Sequence, residues 1–285
     1  MNAMNAFPWS IFYILLAAGL LGTAAVIPYS LSLSSGALER LKEQENAGEA
    51  TTAAKMPNLP KPVLILISAL QNLVLISVAA FVGLLASGKV GLGTPILQAV
   101  VAGQPAGERV AEMLPLALLL GIACGAVMLL LEGVYFAPRI PSELSMMDSR
   151  TAFWKRILAC FYGGIVEEIL MRLFVMGGLA WLLGLIWQAP GGMPAVGAFW
   201  MANFLAALLF GAGHLPATVQ ITRRLTPTIV LRALLLNGIP GLAAGYLYMR
   251  YGLEAAMVLH FSLDIVIHLM ATPLIKRAVQ TAQPA

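Results

Sequence analysis

The sequence predicts an all-α transmembrane helical bundle of about seven spans in one membrane domain, and three observations carry that expectation. Of its 285 residues, 60% are hydrophobic and only 11% charged, where an ordinary soluble domain has about a quarter charged. The apolar residues fall in long unbroken runs rather than the period-two alternation of a membrane barrel. The Lys and Arg residues gather in alternate connecting segments, as positive-inside orientation requires.

The first run, residues 7–33, lacks the basic leader of a secretory signal and exceeds its apolar length, so it reads as a retained span. From 34 to 60 the chain turns polar, with Glu39, Arg40, Lys42, Glu43, Glu45 and Glu49, and reads as a solvated loop with room for a short helix. The second span covers 63–85 and the third 113–136. Between them Pro95–Val101 suits the membrane interface. The fourth span, 157–176, is expected to break at Gly177 and Gly178, leaving 179–187 too short to cross alone and reading as an extension or a re-entrant piece. Spans at 196–215, 229–249 and 253–275 complete the bundle, the last two joined by a tight turn at 250–252.

Placing the N-terminus outside puts Arg40, Lys42, Lys55, Lys61, Arg139, Arg150, Lys155, Arg156, Arg223, Arg224, Arg232, Lys276 and Arg277 inside. Only Lys89, Arg109 and Arg250 then fall outside, which predicts N-out and C-in. The net charge of +4 reports this topology; no aromatic-interleaved basic patch is present, so nucleic acid is not an expected partner. Cys124 and Cys160 lie in apolar runs without metal or redox spacing and read as packing residues. No internal repeat is evident, which argues against an inverted-repeat transporter.

Ionisable side chains inside a span are costly, so each calls for a partner or a task. The fourth span holds Glu167, Glu168 and Arg172. Glu168 and Arg172 stand at i and i+4, placed for an ion pair, while Glu167 points about 100° away and is free to act as a general base. All three histidines, His214, His260 and His268, sit in spans, and His260, Asp264 and His268 recur every four residues along one stripe. Gly163, Gly164, Gly211 and Gly213 thin the helix surfaces nearby, and Gly241 with Gly245 forms a GxxxG contact. Taken singly, the Glu168–Arg172 pair reads as structural, His268 as structural or supporting, and Glu132 as an interfacial carboxylate. Taken together, carboxylates, imidazoles and a cation on three spans point to chemistry.

Three strings carry a resemblance: Glu167 to Arg172 reads EExxxR, Phe210 to His214 reads FxxxH, and His260 to Asp264 reads HxxxD. In order and placement they resemble the CAAX prenyl protease and bacteriocin-processing family of intramembrane endopeptidases, similar to type II CAAX prenyl proteases. The stretch from Gly241 to His260 is also similar to that family. The resemblance covers residues 157–270, so 157–275 is expected to form a catalytic core and 1–156 an unassigned set of spans and loops. It implies a hydrolase in which Glu167 and His214 activate water while His260 and Asp264 stabilise the oxyanion, with Glu168, Arg172 and His268 supporting. Met171 and Leu173 depart from the family's usual Phe before and Gly after the arginine. An ionised Asp264 cannot donate a hydrogen bond, so it would orient His260 or act protonated.

Depth sets a further condition. At about 1.5 Å per residue, Glu167 lies near midplane, His214 nearer the inner face and His260 nearer the outer one. Tilt, a helix break between Gly211 and Pro216, or a water-filled cavity opening to the cytoplasm must bring them together. No cofactor is expected, although two histidines and a carboxylate would also suit a zinc protease, here without an HExxH string. A transporter, a proton relay, or an immunity or scaffold protein would use the same buried groups. The expected partners are the bilayer and a membrane-associated peptide or protein, and short loops without appended domains favour a bacterial inner membrane.

Overall fold

The computed structural model describes residues 7–46, 60–141, 144, 151–222 and 224–282. Ten helices make up the described chain, and no strand occurs among the described residues. They are α1 (Trp9–Asn46), α2 (Lys61–Lys89), α3 (Pro95–Val101), α4 (Gly107–Leu131), α5 (Phe153–Phe161), α6 (Gly177–Gly184), α7 (Val196–Gly213), α8 (Leu215–Thr222), α9 (Pro227–Tyr251) and α10 (Leu253–Ala282). Five stretches among the described residues are long and apolar enough to cross a membrane: Trp9–Ser32, Ile65–Lys89, Gly107–Arg139, Val196–Val219 and Pro227–Tyr251. The outer faces of these helices are apolar, as in α2, where Leu66, Leu70, Val74 and Val78 are all more than half or close to half exposed. Such a continuous apolar surface suits lipid rather than water. The protein is an integral membrane protein.

Helices α5 and α6 are two ends of one uninterrupted helix, joined by the π-helical stretches Tyr162–Glu167 and Ile169–Met176. This corrects the expected break at Gly177 and Gly178: both glycines are helical, and 179–184 extends the span. Gly177 is tolerated in mid-helix because a side chain there would run into Ser87. The widened helix carries Glu167, Glu168 and Arg172 at its centre, and it lies inside the bundle, against α1 and α2 on one flank and α7, α9 and α10 on the other. That position follows from the charges: a helix with three ionisable groups at mid-depth is stable only where protein replaces lipid around it.

Four other expectations are corrected or refined. The segment from Ser34 onward is not a loop at its start, because α1 continues as helix to Asn46, and the rest of it, 47–59, lies outside the described residues. Glu132, expected as an interfacial carboxylate, is fully buried within the protein in a π-helical turn, Glu132–Phe136, and forms a two-pronged ion pair with Arg232 of α9 at 2.8 and 3.0 Å. Arg156 and Arg232, counted as inner-loop charges, are instead built into α5 and α9, Arg156 being 8% exposed. Gly213 meets no neighbour within 4 Å, whereas Gly163, Gly164 and Gly211 do sit at close helix contacts.

The tight turn before α10 reduces to one residue, Gly252, at φ 95°, a left-handed conformation that favours glycine, with Pro95 packed where a side chain would go. Pro95 opens α3, whose first N–H groups, at Ile96 and Leu97, donate to Glu254 Oε1 at 3.1 and 2.8 Å. The carboxylate of α10 thus caps a helix about 160 residues earlier and ties the two ends of the bundle together. The GxxxG glycines pack α9 on α7: Gly241 lies against Ala207, Gly245 against the side chain of Asn203, and Asn203 Nδ2 donates to Leu242 O at 3.0 Å.

Candidate active site

The widened helix supplies three of the site residues. Glu168 is fully buried, and its Oε1 lies 3.0 Å from a terminal nitrogen of Arg172, one helical turn on. The other terminal nitrogen of Arg172 donates to Gly241 O on α9 at 3.1 Å. The same Glu168 oxygen takes a 2.6 Å hydrogen bond from His260 Nδ1 on α10. A carboxylate accepts, so Nδ1 carries a proton, and the ring is turned by that bond to aim Nε2 at the neighbouring carboxylates. Glu167 Oε2 lies 3.6 Å from Nε2 and Asp264 Oδ2 lies 3.9 Å from it.

These two separations exceed direct hydrogen-bond reach, so Nε2 has no direct hydrogen bond to either carboxylate. Burial divides the carboxylates accordingly. The side chains of Glu167 and Asp264 are 23% and 21% exposed, against 0% for Glu168. Gly163 makes the approach possible: an ideal Cβ at 163 would stand 2.5 Å from Asp264 Oδ2 and 3.1 Å from His260 Nε2.

Helix α7 delivers His214. It ends at Gly213, and α8 starts at Leu215, so the helix is interrupted for one residue at the histidine, whose φ of −83° and ψ of −14° stay in the helical region, within the interval where a break was one of three expected solutions. Its Nδ1 lies 2.8 Å from Phe210 O, an oxygen that can only accept, so the neutral ring is protonated at Nδ1 and keeps the Nε2 lone pair. The Phe210 ring links the two imidazoles. It meets His214 edge-on at 4.9 Å and His260 edge-on at 5.9 Å, while the Arg172 guanidinium lies 5.3 Å from its centre. Phe210 is a site residue that sequence reasoning quoted in a motif without giving it a task.

The structure therefore brings Glu167, Glu168, Arg172, His214, His260 and Asp264 into one cluster around His260 and Phe210. His268 stands apart from it, with its ring against Tyr29 of α1 at 6.4 Å. Two more residues went unseen in the sequence: Ser87 Oγ donates to Leu173 O at 2.9 Å and accepts from Tyr248 OH at 2.7 Å. Ser87 is one of several polar residues in its span, with Ser68, Gln71, Asn72 and Ser77, and its meaning depends on what faces it.

Residues 149–266 match the family model described as type II CAAX prenyl endopeptidase Rce1-like. This segment is similar to a type II CAAX prenyl endopeptidase domain. The match takes in all three motifs and starts a few residues before the expected 157, while it ends short of His268. The four N-terminal helices lie outside it. Neither the curated proteins nor the solved structures contain a match to the chain. Among the described residues, no group of three or more His, Cys, Asp and Glu donors is arranged to hold a metal ion. Both nitrogens of His260 already face carboxylates, which fits a hydrogen-bonding role for that ring.

Proposed function

We propose that the protein is an intramembrane endopeptidase that hydrolyses peptide bonds in membrane-associated substrates, CAAX-type C-termini among them. The observation that supports this reading most is the division of labour between adjacent carboxylates. Glu168 pairs with Arg172 through Oε1 and orients His260, whereas Glu167, next in sequence, has no Arg or Lys partner among the described residues and borders the accessible side of the same ring. One carboxylate positions, and the other is available to take a proton.

In this mechanism a water sits between Glu167 and the Nε2 lone pair of His214. Glu167 accepts its proton as the oxygen attacks the scissile carbonyl carbon, and the carbonyl π electrons move onto oxygen. That oxyanion accepts a hydrogen bond from Nε2–H of His260, whose charge is balanced by Glu168 and Asp264. Collapse of the tetrahedral intermediate breaks the C–N bond, and the proton held by Glu167 or His214 passes to the leaving amine. Low water content around the buried pair strengthens each of these interactions. The cavity is read as opening to the cytoplasm of a bacterial inner membrane, with N-out and C-in topology.

The test is cleavage profiling in lipid nanodiscs, with prenylated and unprenylated CAAX peptides and unrelated membrane peptides as substrates. Wild type is expected to cut a defined bond and Glu167→Ala to cut none while keeping its thermal unfolding profile. Equal cleavage by Glu167→Ala would remove the assignment. Cysteine labelling of the segment before α5 from outside only would remove the cytoplasmic opening.

A further inference from the structure

We propose that Ser87 and Tyr248 are positioning residues of the active site, fixing the register of the widened helix that presents Glu167 and Glu168 to His260. The inference rests on the protease reading for its kinetic consequence, and its geometric core stands without it. Ser87 is fully buried in α2, and Tyr248 in α9 is 1% exposed. Neither touches Glu167, His214 or His260 in the interactions described above. Their hydroxyls form a strut: Tyr248 OH donates to Ser87 Oγ at 2.7 Å, and Ser87 Oγ donates to Leu173 O at 2.9 Å.

The point of attachment gives the strut its significance. Leu173 lies in the second π-helical stretch and follows Arg172, whose guanidinium donates to Gly241 O at 3.1 Å. Gly241 and Tyr248 lie on α9 seven residues apart, close to two turns, and so share a face. Helix α9 therefore bears on consecutive residues of the widened helix, directly at Arg172 through Gly241 O and indirectly at Leu173 through Ser87 of α2. A carbonyl in a π-helical turn is drawn off the regular i to i+4 ladder and is open to an external donor. Without that donor, the ladder has less to keep it from closing to an α-helix. A one-residue shift would turn the side chains on one side of it by about 100° and carry Glu167 and Glu168 off His260.

A packing contact would not need this chemistry. Apolar replacements of matching shape can be neutral in a core, whereas buried hydroxyls are sustained only while every partner is in place. A Cβ built at Gly177 would fall on Ser87 Oγ, so glycine at 177 keeps the space that the hydroxyl occupies between Leu173 O and Tyr248 OH.

The experiment uses the full chain in nanodiscs, with Ser87→Ala, Ser87→Cys and Tyr248→Phe, and with Ser77→Ala as control. Ser77 lies on the same helix but donates only within it, to Leu73 O at 2.7 Å. Two readouts are taken: kcat and KM for peptide cleavage, and the ¹⁵N resonances of the three histidines, assigned by single His→Gln replacements. Ser87→Ala is expected to lower kcat by about tenfold, the effect of losing one well-placed hydrogen bond, with KM within about twofold. It is also expected to shift the His260 resonances, with partial recovery of both in Ser87→Cys, a smaller loss in Tyr248→Phe and no change in Ser77→Ala. Unmoved His260 resonances in Ser87→Ala, or an unchanged kcat with a lowered Tm, would overturn the proposal. Should Ser87→Ala fail to fold, Ser87→Cys and Tyr248→Phe give the same decision. Should wild type cleave no peptide, the protease reading falls, and the His260 resonances still decide the strut.

Discussion

Glu168 and His260, 92 residues apart, share the shortest side-chain hydrogen bond in the site, 2.6 Å between Oε1 and Nδ1, and neither side chain is more than 9% exposed. Everything accessible in the site is arranged around that buried bond. It fixes the ring, and the ring's free edge then defines where Glu167 and Asp264 act.

Adjacent glutamates are therefore expected to fail differently. Glu167→Gln should abolish cleavage and leave the fold intact, because its side chain borders the open side of the ring. Glu168→Gln should lose activity and also destabilise the protein by about 3 kcal/mol, since it leaves Arg172 buried without its counter-charge. Thermal unfolding in detergent alongside peptide cleavage separates the two, and equal stability of both variants would contradict the division.

Gly163→Ala is expected to reduce cleavage at least about tenfold, because the new methyl group meets Asp264 and His260 and must displace one of them. Gly178→Ala is the control. It adds a Cβ into open space within a helix and should stabilise by about 0.5–1 kcal/mol without a change in kcat. An active Gly163→Ala would show that the close approach is not required.

The Glu132–Arg232 pair joins the end of α4 to α9 and has no described contact with the catalytic cluster. Glu132→Gln should lower stability by about 3 kcal/mol, as expected for a broken buried pair, and should leave kcat within about twofold. The double replacement Glu132→Met with Arg232→Met should recover most of that loss, because two apolar residues cost no desolvation. Denaturant titration in detergent reads all three variants.

Metal removal is expected to leave cleavage intact. His260 Nδ1 is hydrogen-bonded to Glu168 and His214 Nδ1 to Phe210 O, so each ring has a hydrogen-bonding role at one nitrogen. Activity lost on exhaustive chelation and restored by stoichiometric zinc would instead assign a zinc protease.

Composition and apolar runs were enough to read an all-helical membrane bundle, because a hydrocarbon solvent leaves the backbone few other solutions. The Glu168–Arg172 pair was equally legible, since i and i+4 meet on any helix whatever surrounds it. The three motifs were legible for the same reason: each is local to one helix. Interhelical relations were not legible. The Glu168–His260 bond, the Ser87–Tyr248 strut and the Glu132–Arg232 pair depend on which faces pack and at what depth, and periodicity leaves rotation and axial shift of each helix undetermined.

The sequence by itself decided which side chains would be available inside the bilayer and on which helices they would stand, because burial of charge in lipid restricts their number and their neighbours along the chain. Only the tertiary structure decided their assignments: that Glu168 is consumed in holding His260, that Glu167 remains at the open edge, and that the helix widens rather than breaks at its glycines. The physical reason is that these outcomes are set by contacts between helices, where a shift of one residue exchanges which carboxylate faces the ring.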